Sequence, residues 1–254
     1  MTATFEIINP TGSAPFVLIC DHASRALPEG YGTLGLDESE MMRHIGWDIG
    51  AADVTRRLSA RFNATAIFSG FSRLLIDCNR APDDPTLVCR VSDGTVVPGN
   101  RQVDAAERAR RLDQYHAPYH RAVSAHLDQR MARGEVPAIV SIHSFTPVMK
   151  SVRRPWHVGI LWDADPRLPV PLMRALEAQG DIVVGDNEPY SGKTETGYSI
   201  RIHGADRGLP HVLVELRQDL IDTHHGAADW ADRFARALET ALAEGMPYRV
   251  QAPA

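Results

Sequence analysis

Long apolar runs are missing from this sequence. No segment approaches the roughly 20 consecutive apolar residues of a membrane-spanning helix, and no signal-like stretch follows the start. Cysteine is scarce: Cys20, Cys78 and Cys89 show no Cys-x-x-Cys spacing. An odd count without an export signal predicts reduced thiols and a cytoplasmic setting. Cys20 and Cys78 lie in strand-like runs and read as small core residues. Positive charge is not in excess. The 27 Lys and Arg stand against 32 Asp and Glu, a formal net charge of −5, which argues against nucleic acid or an anionic membrane as partner. Three motifs are also absent. Without G-x-S-x-G a serine hydrolase is disfavoured. Without G-x-G-x-x-G or a P-loop, dinucleotide and nucleotide chemistry are disfavoured.

Histidine, by contrast, is plentiful, with 11 residues in a chain of 254. That count directs attention to metal ligands. The chain shows no internal repeat and no low-complexity linker, and its predicted strands alternate with helices. The expectation is a single α/β domain over residues 1–254, with a mainly parallel sheet covered on both faces.

Residues 1–15 read as an irregular lead-in. Phe16–Cys20 is a strand that runs into Asp21-His22-Ala23-Ser24. Acidic residues in Leu36–Glu40 mark a helix start. From Asp48 to Phe62 the apolar spacing predicts a helix, with His44 four residues before Asp48. Ala64–Phe68 and Ser72–Asp77 read as strands, the second running into Cys78-Asn79-Arg80. Residues 81–103 form a long loop containing a short hairpin, and 104–133 are helical. Ala138–Ile142 is a buried strand that stops at His143-Ser144. His157–Trp162 and Asp181–Gly185 are strands flanking a helix at Pro169–Ala178. Thr196–His203 reads as extended. His211–Val214 is the last strand, ending in Glu215, and a helix over 226–244 closes the fold.

The candidate site follows from where strands end. In open α/β sheets ligands bind beyond the carboxyl ends of the strands. His22, the Asp77-Asn79-Arg80 group, His143 and Glu215 all fall at such ends. Asp48 sits near a helix start, where a carboxylate serves either as a dipole-favoured terminal residue or as a metal ligand. Two histidines plus a carboxylate form a known catalytic zinc set that leaves a position open for water. Hydrolysis then needs a carboxylate outside that set as general base, and Glu215 is placed for it. An arginine beside an asparagine amide suits a substrate carboxylate, which makes Arg80, Asn79 and Arg73 binding candidates. The plainer alternative pairs Asp77 with Arg80. Ser144, next to His143, is a further substrate-contact candidate. His116 and His120 form an H-x-x-x-H pair without the glutamate of H-E-x-x-H. They read either as substrate contacts on a helix that lines the site, or as ordinary surface histidines.

The segments DHAS, HIGWDIGA, SRLLIDCNR, SIHSFTP and VELRQDL occur here in that order over roughly residues 15–240. Together they resemble the N-formylglutamate amidohydrolase family, which is similar in fold to zinc carboxypeptidases and zinc-dependent N-acetylmuramoyl-L-alanine amidases. The resemblance implies a three-layer α/β/α domain with its core over about 15–240. It also implies zinc or another divalent metal on His22, Asp48 and His143, Glu215 as base, and an Asn79-Arg80 pair holding a substrate carboxylate. The implied reaction releases formate and L-glutamate from N-formyl-L-glutamate, a small-molecule substrate, in histidine degradation. Two departures stand out. In the carboxypeptidases the acidic ligand lies three residues after the first histidine, where this chain has Arg25. Asp48 fits the amidase pattern better but at longer spacing, so His44 stays a reserve ligand. Another N-acyl amino acid or a peptide-like amide remains an alternative substrate. A metal-site relic used only for binding is the non-catalytic alternative. Oligomeric state is not encoded in any motif.

Overall fold

The computed structural model describes residues 3–193, 197–246 and 248–251. Eleven strands and seven α-helices are described. In chain order they are β1 (Phe5–Ile8), β2 (Phe16–Cys20), α1 (Glu38–Met42), α2 (Ala51–Phe62), β3 (Ala66–Ser69), β4 (Val91–Ser92) and β5 (Thr95–Val96). Next come α3 (Ala105–Arg111), α4 (Ala117–Ala132), β6 (Ala138–Phe145), β7 (Val148–Met149), β8 (Val152–Arg153) and β9 (Val158–Leu161). The chain continues with α5 (Pro169–Glu177), β10 (Val184–Asp186), α6 (Tyr198–His203), β11 (His211–Arg217) and α7 (His224–Gly245). No helix among the described residues is long and apolar enough to cross a membrane.

Seven strands form one mixed sheet in the order β1-β3-β2-β6-β11-β9-β10. Its centre, β3-β2-β6-β11, is parallel. β1 joins antiparallel at one edge, and β9 turns antiparallel against β11. The central strands are apolar on both faces, as a sheet covered on both sides requires. Side-chain alternation then assigns each residue to a layer. Phe16, Leu18, Val140, Ile142, Val212 and Val214 pack under α2, α5 and α7. Val17, Ile19, Ile139 and Leu213 pack on the opposite face, under Tyr119, Val123 and Leu127 of α4 and Ile200 of α6. The result is a three-layer α/β/α sandwich.

Capping fixes where several helices begin. The Asp37 carboxylate accepts from Glu40 N–H and starts α1, Asp104 does the same for α3, and the Thr223 hydroxyl caps α7. α2 begins at Gly50, whose φ of +79° is a left-handed conformation that glycine adopts without a Cβ clash. A Cβ there would also run into the Ile221 carbonyl oxygen.

Several expectations are corrected. Residues 5–8 are not part of an irregular lead-in; they form edge strand β1. Ser72–Asp77 is buried but is not a strand, because its N–H groups are spent elsewhere: Ser72 on Ala26 O, Arg73 on Gly46 O and Asp77 on Leu87 O. Tyr198–His203 is helix α6 rather than extended, and Thr196 lies outside the described residues. The helical stretch over 104–133 is broken by a π-helical turn at Leu112–His116. His143 and Glu215 lie inside β6 and β11 rather than beyond them. The expected hairpin in the long loop is β4–β5.

Candidate active site

Three neighbouring parallel strands bring the site together. β2 leads into Asp21 and His22. On β6 and β11, His143 and Glu215 are direct register partners. Asp48 precedes α2 by three residues and is anchored to the extension of β2 by its backbone N–H, which donates to His22 O at 3.0 Å. His22, Asp48, His143 and Glu215 line a cavity of about 160 Å³ together with Arg73, Asn79, Arg80, Ser144 and Tyr190. A second cavity, of about 270 Å³, shares the Leu161, Gly197 and Leu213 walls but contains none of the His22, Asp48, His143 group.

His22, Asp48 and His143 are buried, and one ligand atom from each lies within 4.8 Å of the others. Asp48 Oδ2 is 2.8 Å from His143 Nδ1 and 3.3 Å from His22 Nδ1. The far ring nitrogens are tethered separately. His22 Nε2 meets Asp77 Oδ1 at 2.6 Å, while His143 Nε2 meets Asp21 Oδ2 at 3.2 Å and Ser141 Oγ at 3.0 Å. Ionised carboxylates only accept, so Nε2 of each ring carries the hydrogen. In the neutral rings both Nδ1 lone pairs then point at the same Asp48 oxygen. Three donors facing one another in this way are compatible with a divalent cation between them, and carboxylate-tethered histidines are the usual support for one. Two nitrogens and one oxygen are a donor set that zinc accepts.

The surrounding carboxylates also favour positive charge at this point. Burial alone would lower the His143 pKa, but Asp21 and Asp48 more than offset it and hold the ring well above its ordinary range. His22 is raised too, with Asp77 and Asp48 offsetting burial and Arg73. Burial pushes the Asp48 and Asp21 carboxyls up, and the histidines outweigh it and bring both below the usual carboxylate range. Glu215 is the exception. Burial pushes it up to about 7, with His143 drawing it partly back, and among the described residues its Oε2 has no hydrogen-bond partner.

The cavity's other wall is the Cys78-Asn79-Arg80 segment. Asn79 Oδ1 accepts from Ser199 N–H at 3.2 Å, and among the described residues the amide hydrogens of Asn79 have no hydrogen-bond acceptor. Among the described residues the Arg80 guanidinium makes no hydrogen bond or ion pair. Arg73 also lines the cavity, but it is engaged with Asp77 at 2.8 Å and Asp48 at 3.4 Å. Asp77 therefore pairs with Arg73 and His22, not with Arg80. The Ser144 hydroxyl donates to Ile49 O, and its N–H faces Asp48 at 3.3 Å.

Two expected groups lie elsewhere. His116 and His120 are buried and face the back of the 78–80 segment, bonding Arg80 O and Cys78 O rather than lining the cavity. His44 sits 3.5 Å from Asp93 Oδ2, outside the His22, Asp48, His143 group. Sequence reasoning missed Asp21 as a tether, although it adjoins His22. It also missed Tyr190, whose hydroxyl accepts from Arg154 at 3.2 Å. No spacing rule marks Tyr190, because loop closure alone brings it to the sheet.

Residues 14–222 match the sequence model of the N-formylglutamate amidohydrolase family. A crystal structure of a gene product from Agrobacterium tumefaciens is 36% identical, with a TM-score of 0.92 over 94% of this chain and 95% of that one. A crystal structure of N-formylglutamate amidohydrolase from Ralstonia eutropha is 20% identical, with a TM-score of 0.73 over 93% of this chain and 96% of that one. That second likeness is one of fold. No curated protein matches the chain. The family match covers most of the sequence and every element that builds the cavity up to β11, and the chain therefore belongs to the N-formylglutamate amidohydrolase family.

Proposed function

We propose that this protein is a metal-dependent amidohydrolase that cleaves N-formyl-L-glutamate to formate and L-glutamate, and that the whole chain forms one catalytic domain. The observation that carries the reading is the pairing of two features in one cavity. Nδ1 of His22, Nδ1 of His143 and an Asp48 oxygen converge there, and the buried Glu215 carboxyl beside them has an oxygen without a partner among the described residues. His22, Asp48 and His143 would hold the metal, with zinc the best match to the donor set. When bound, a divalent metal supplies Lewis acidity that polarises a carbonyl and acidifies water.

The chain's own residues do the rest. Glu215 accepts a proton from the attacking water and passes it to the leaving amine nitrogen, so one C–O bond forms as the C–N bond breaks. A carboxyl with a pKa of about 7 is matched to both halves of that transfer near neutral pH. Arg80, with the unspent amide hydrogens of Asn79, binds a substrate carboxylate, and Arg73 holds Asp48 and Asp77 in place. Asp77 and Asp21 keep the rings in the Nε2–H form.

The test combines elemental analysis of the purified protein with formate release from N-formylglutamate before and after chelation. About one zinc per chain, with activity lost on chelation and restored by metal, is the expected outcome. Metal without formate release would move the substrate to another N-acyl amino acid. Failure to take up metal when zinc is supplied would end the mechanism.

A further inference from the structure

The H-x-x-x-H pair on α4 has no place in the reaction just described, yet its geometry is specific. All three backbone carbonyls of the 78–80 segment are capped from behind. His120 Nε2 lies 2.9 Å from Cys78 O, Tyr198 N–H donates to Asn79 O at 3.3 Å, and His116 Nε2 lies 3.0 Å from Arg80 O. Behind His120 stands His203 of α6. His120 Nδ1 is 3.0 Å from His203 Nε2, the two rings stack with centroids 5.2 Å apart, and Ser124 Oγ is 3.5 Å from His203 Nδ1.

The direction of this chain follows from chemistry. A carbonyl only accepts, so His120 and His116 must each carry hydrogen on Nε2. A neutral His120 then presents a bare Nδ1, which must receive from His203 Nε2–H. His203 in turn presents a bare Nδ1, which accepts from the Ser124 hydroxyl. Each donor is matched to one acceptor, and none of the three rings needs a charge. The groups facing the cluster are Asp21, Asp77, Arg207, Asp128 and the Tyr198 ring.

We propose that His116, His120 and His203 are positioning residues for substrate recognition: a directed hydrogen-bond chain, Ser124 to His203 to His120 to Cys78 O, with His116 on Arg80 O, sets Asn79 and Arg80 toward the substrate carboxylate. This rests on the reading of Asn79 and Arg80 as the carboxylate clamp. A clamp that binds through one guanidinium and one amide loses affinity when its backbone shifts, because both side chains move with it. The chain fixes that backbone from two helices at once. It acts on substrate affinity and leaves the His22, Asp48, His143 group untouched.

The experiment measures kcat and KM for N-formylglutamate, with metal content, in the wild type and in His120→Phe, His203→Phe, His120→Gln, His203→Gln and Arg80→Met. Glutamine places an amide hydrogen near the position of Nε2–H, whereas phenylalanine keeps the ring and removes the donor. Both Phe variants should raise KM roughly tenfold, the scale of one buried hydrogen bond lost from the chain. Their kcat and metal content should stay near wild type, and both Gln variants should recover most of the loss. An unchanged KM in the Phe variants, or Gln variants as impaired as Phe, would overturn the proposal. Arg80→Met with unchanged KM would instead remove the clamp reading. In that case, or if the wild type releases no formate or a Phe variant does not fold, histidine ¹⁵N correlation spectra of the wild type decide independently of turnover. Neutral Nε2–H tautomers at all three positions support the chain, and an Nδ1–H tautomer or an imidazolium at neutral pH at any of them refutes it.

Discussion

His143 and Glu215 stand opposite one another on adjacent parallel strands, with their Cα atoms in register. Strand alternation puts both side chains on the face that also carries Leu213 and Ser141. A fixed ladder thus holds a tethered imidazole beside an untethered carboxyl. Glu215→Gln keeps the shape and removes the proton acceptor. Formate release should fall by roughly 10²- to 10⁴-fold, with metal content and thermal midpoint retained. A variant that keeps wild-type turnover would take the base role away from Glu215.

Asp48 and its neighbours should separate ligand from tether. Asp48→Ala removes the oxygen that both Nδ1 atoms face and should abolish stoichiometric metal binding. Asp21→Asn and Asp77→Asn leave all three donors in place but weaken the grip on each ring. Their metal affinity should fall about 10- to 100-fold in competition with a chelator. Equal affinities across the three variants would mean that Asp48 is no more a ligand than the tethers are.

Acid should destabilise the fold through His120 and His203. Burial holds His203 at about 4, below the ordinary histidine value of about 6.5. Burial, with His116 and His203 beside it, holds His120 at about 3. The unfolded chain therefore binds more protons as pH drops. The associated stability is fully present above pH 6.5 and is lost as pH falls toward the folded values. Each ring contributes about 1.4 kcal/mol per pH unit inside that window. Urea unfolding at pH 7 and pH 5 should show a drop of about 2 kcal/mol per ring, which is smaller in His203→Gln. Identical acid dependence in wild type and variant would contradict the depressed His203.

Gly50 links stability to the site. Its φ of +79° and the approach of the Ile221 carbonyl leave no room for a Cβ, and Asp48 is two residues away. Gly50→Ala should cost on the order of 1–3 kcal/mol and weaken metal binding at the same time, measured by unfolding and chelator competition. Lost stability with unaltered metal affinity would show that the turn and the ligand are independent.

Much of the site was legible because its residues sit beside the strongest local signals. His22, His143 and Glu215 lie in or just after fully apolar β-branched runs, and sheet topology carries such positions to one edge. Asp48 was legible as a carboxylate near a helix start, although the helix begins three residues later than its apolar spacing suggested. The misread segments share one cause. Ser72–Asp77 has the buried, apolar character of a strand, but burial under loops leaves the same pattern as burial in a sheet. In Tyr198–His203 the Tyr-Ser-Ile-Arg-Ile alternation suited an extended chain, yet packing of Ile200 against the sheet face and contacts with α4 selected a helix.

Composition and pattern alone determined the α/β class, the alternation of layers and the ring of polar residues at strand ends, because hydrophobic periodicity and turn chemistry act over a few residues at a time. Only the tertiary structure decided the partners. Asp77 reaches Arg73 and His22 rather than Arg80, Asp21 reaches His143, and the H-x-x-x-H pair turns away from the cavity to brace the segment behind it. Apart from the Arg73–Asp77 pair, four residues apart, those choices depend on contacts between residues 36 to 122 positions apart. They are set by which buried donor finds which acceptor once the layers close, and no local rule encodes that.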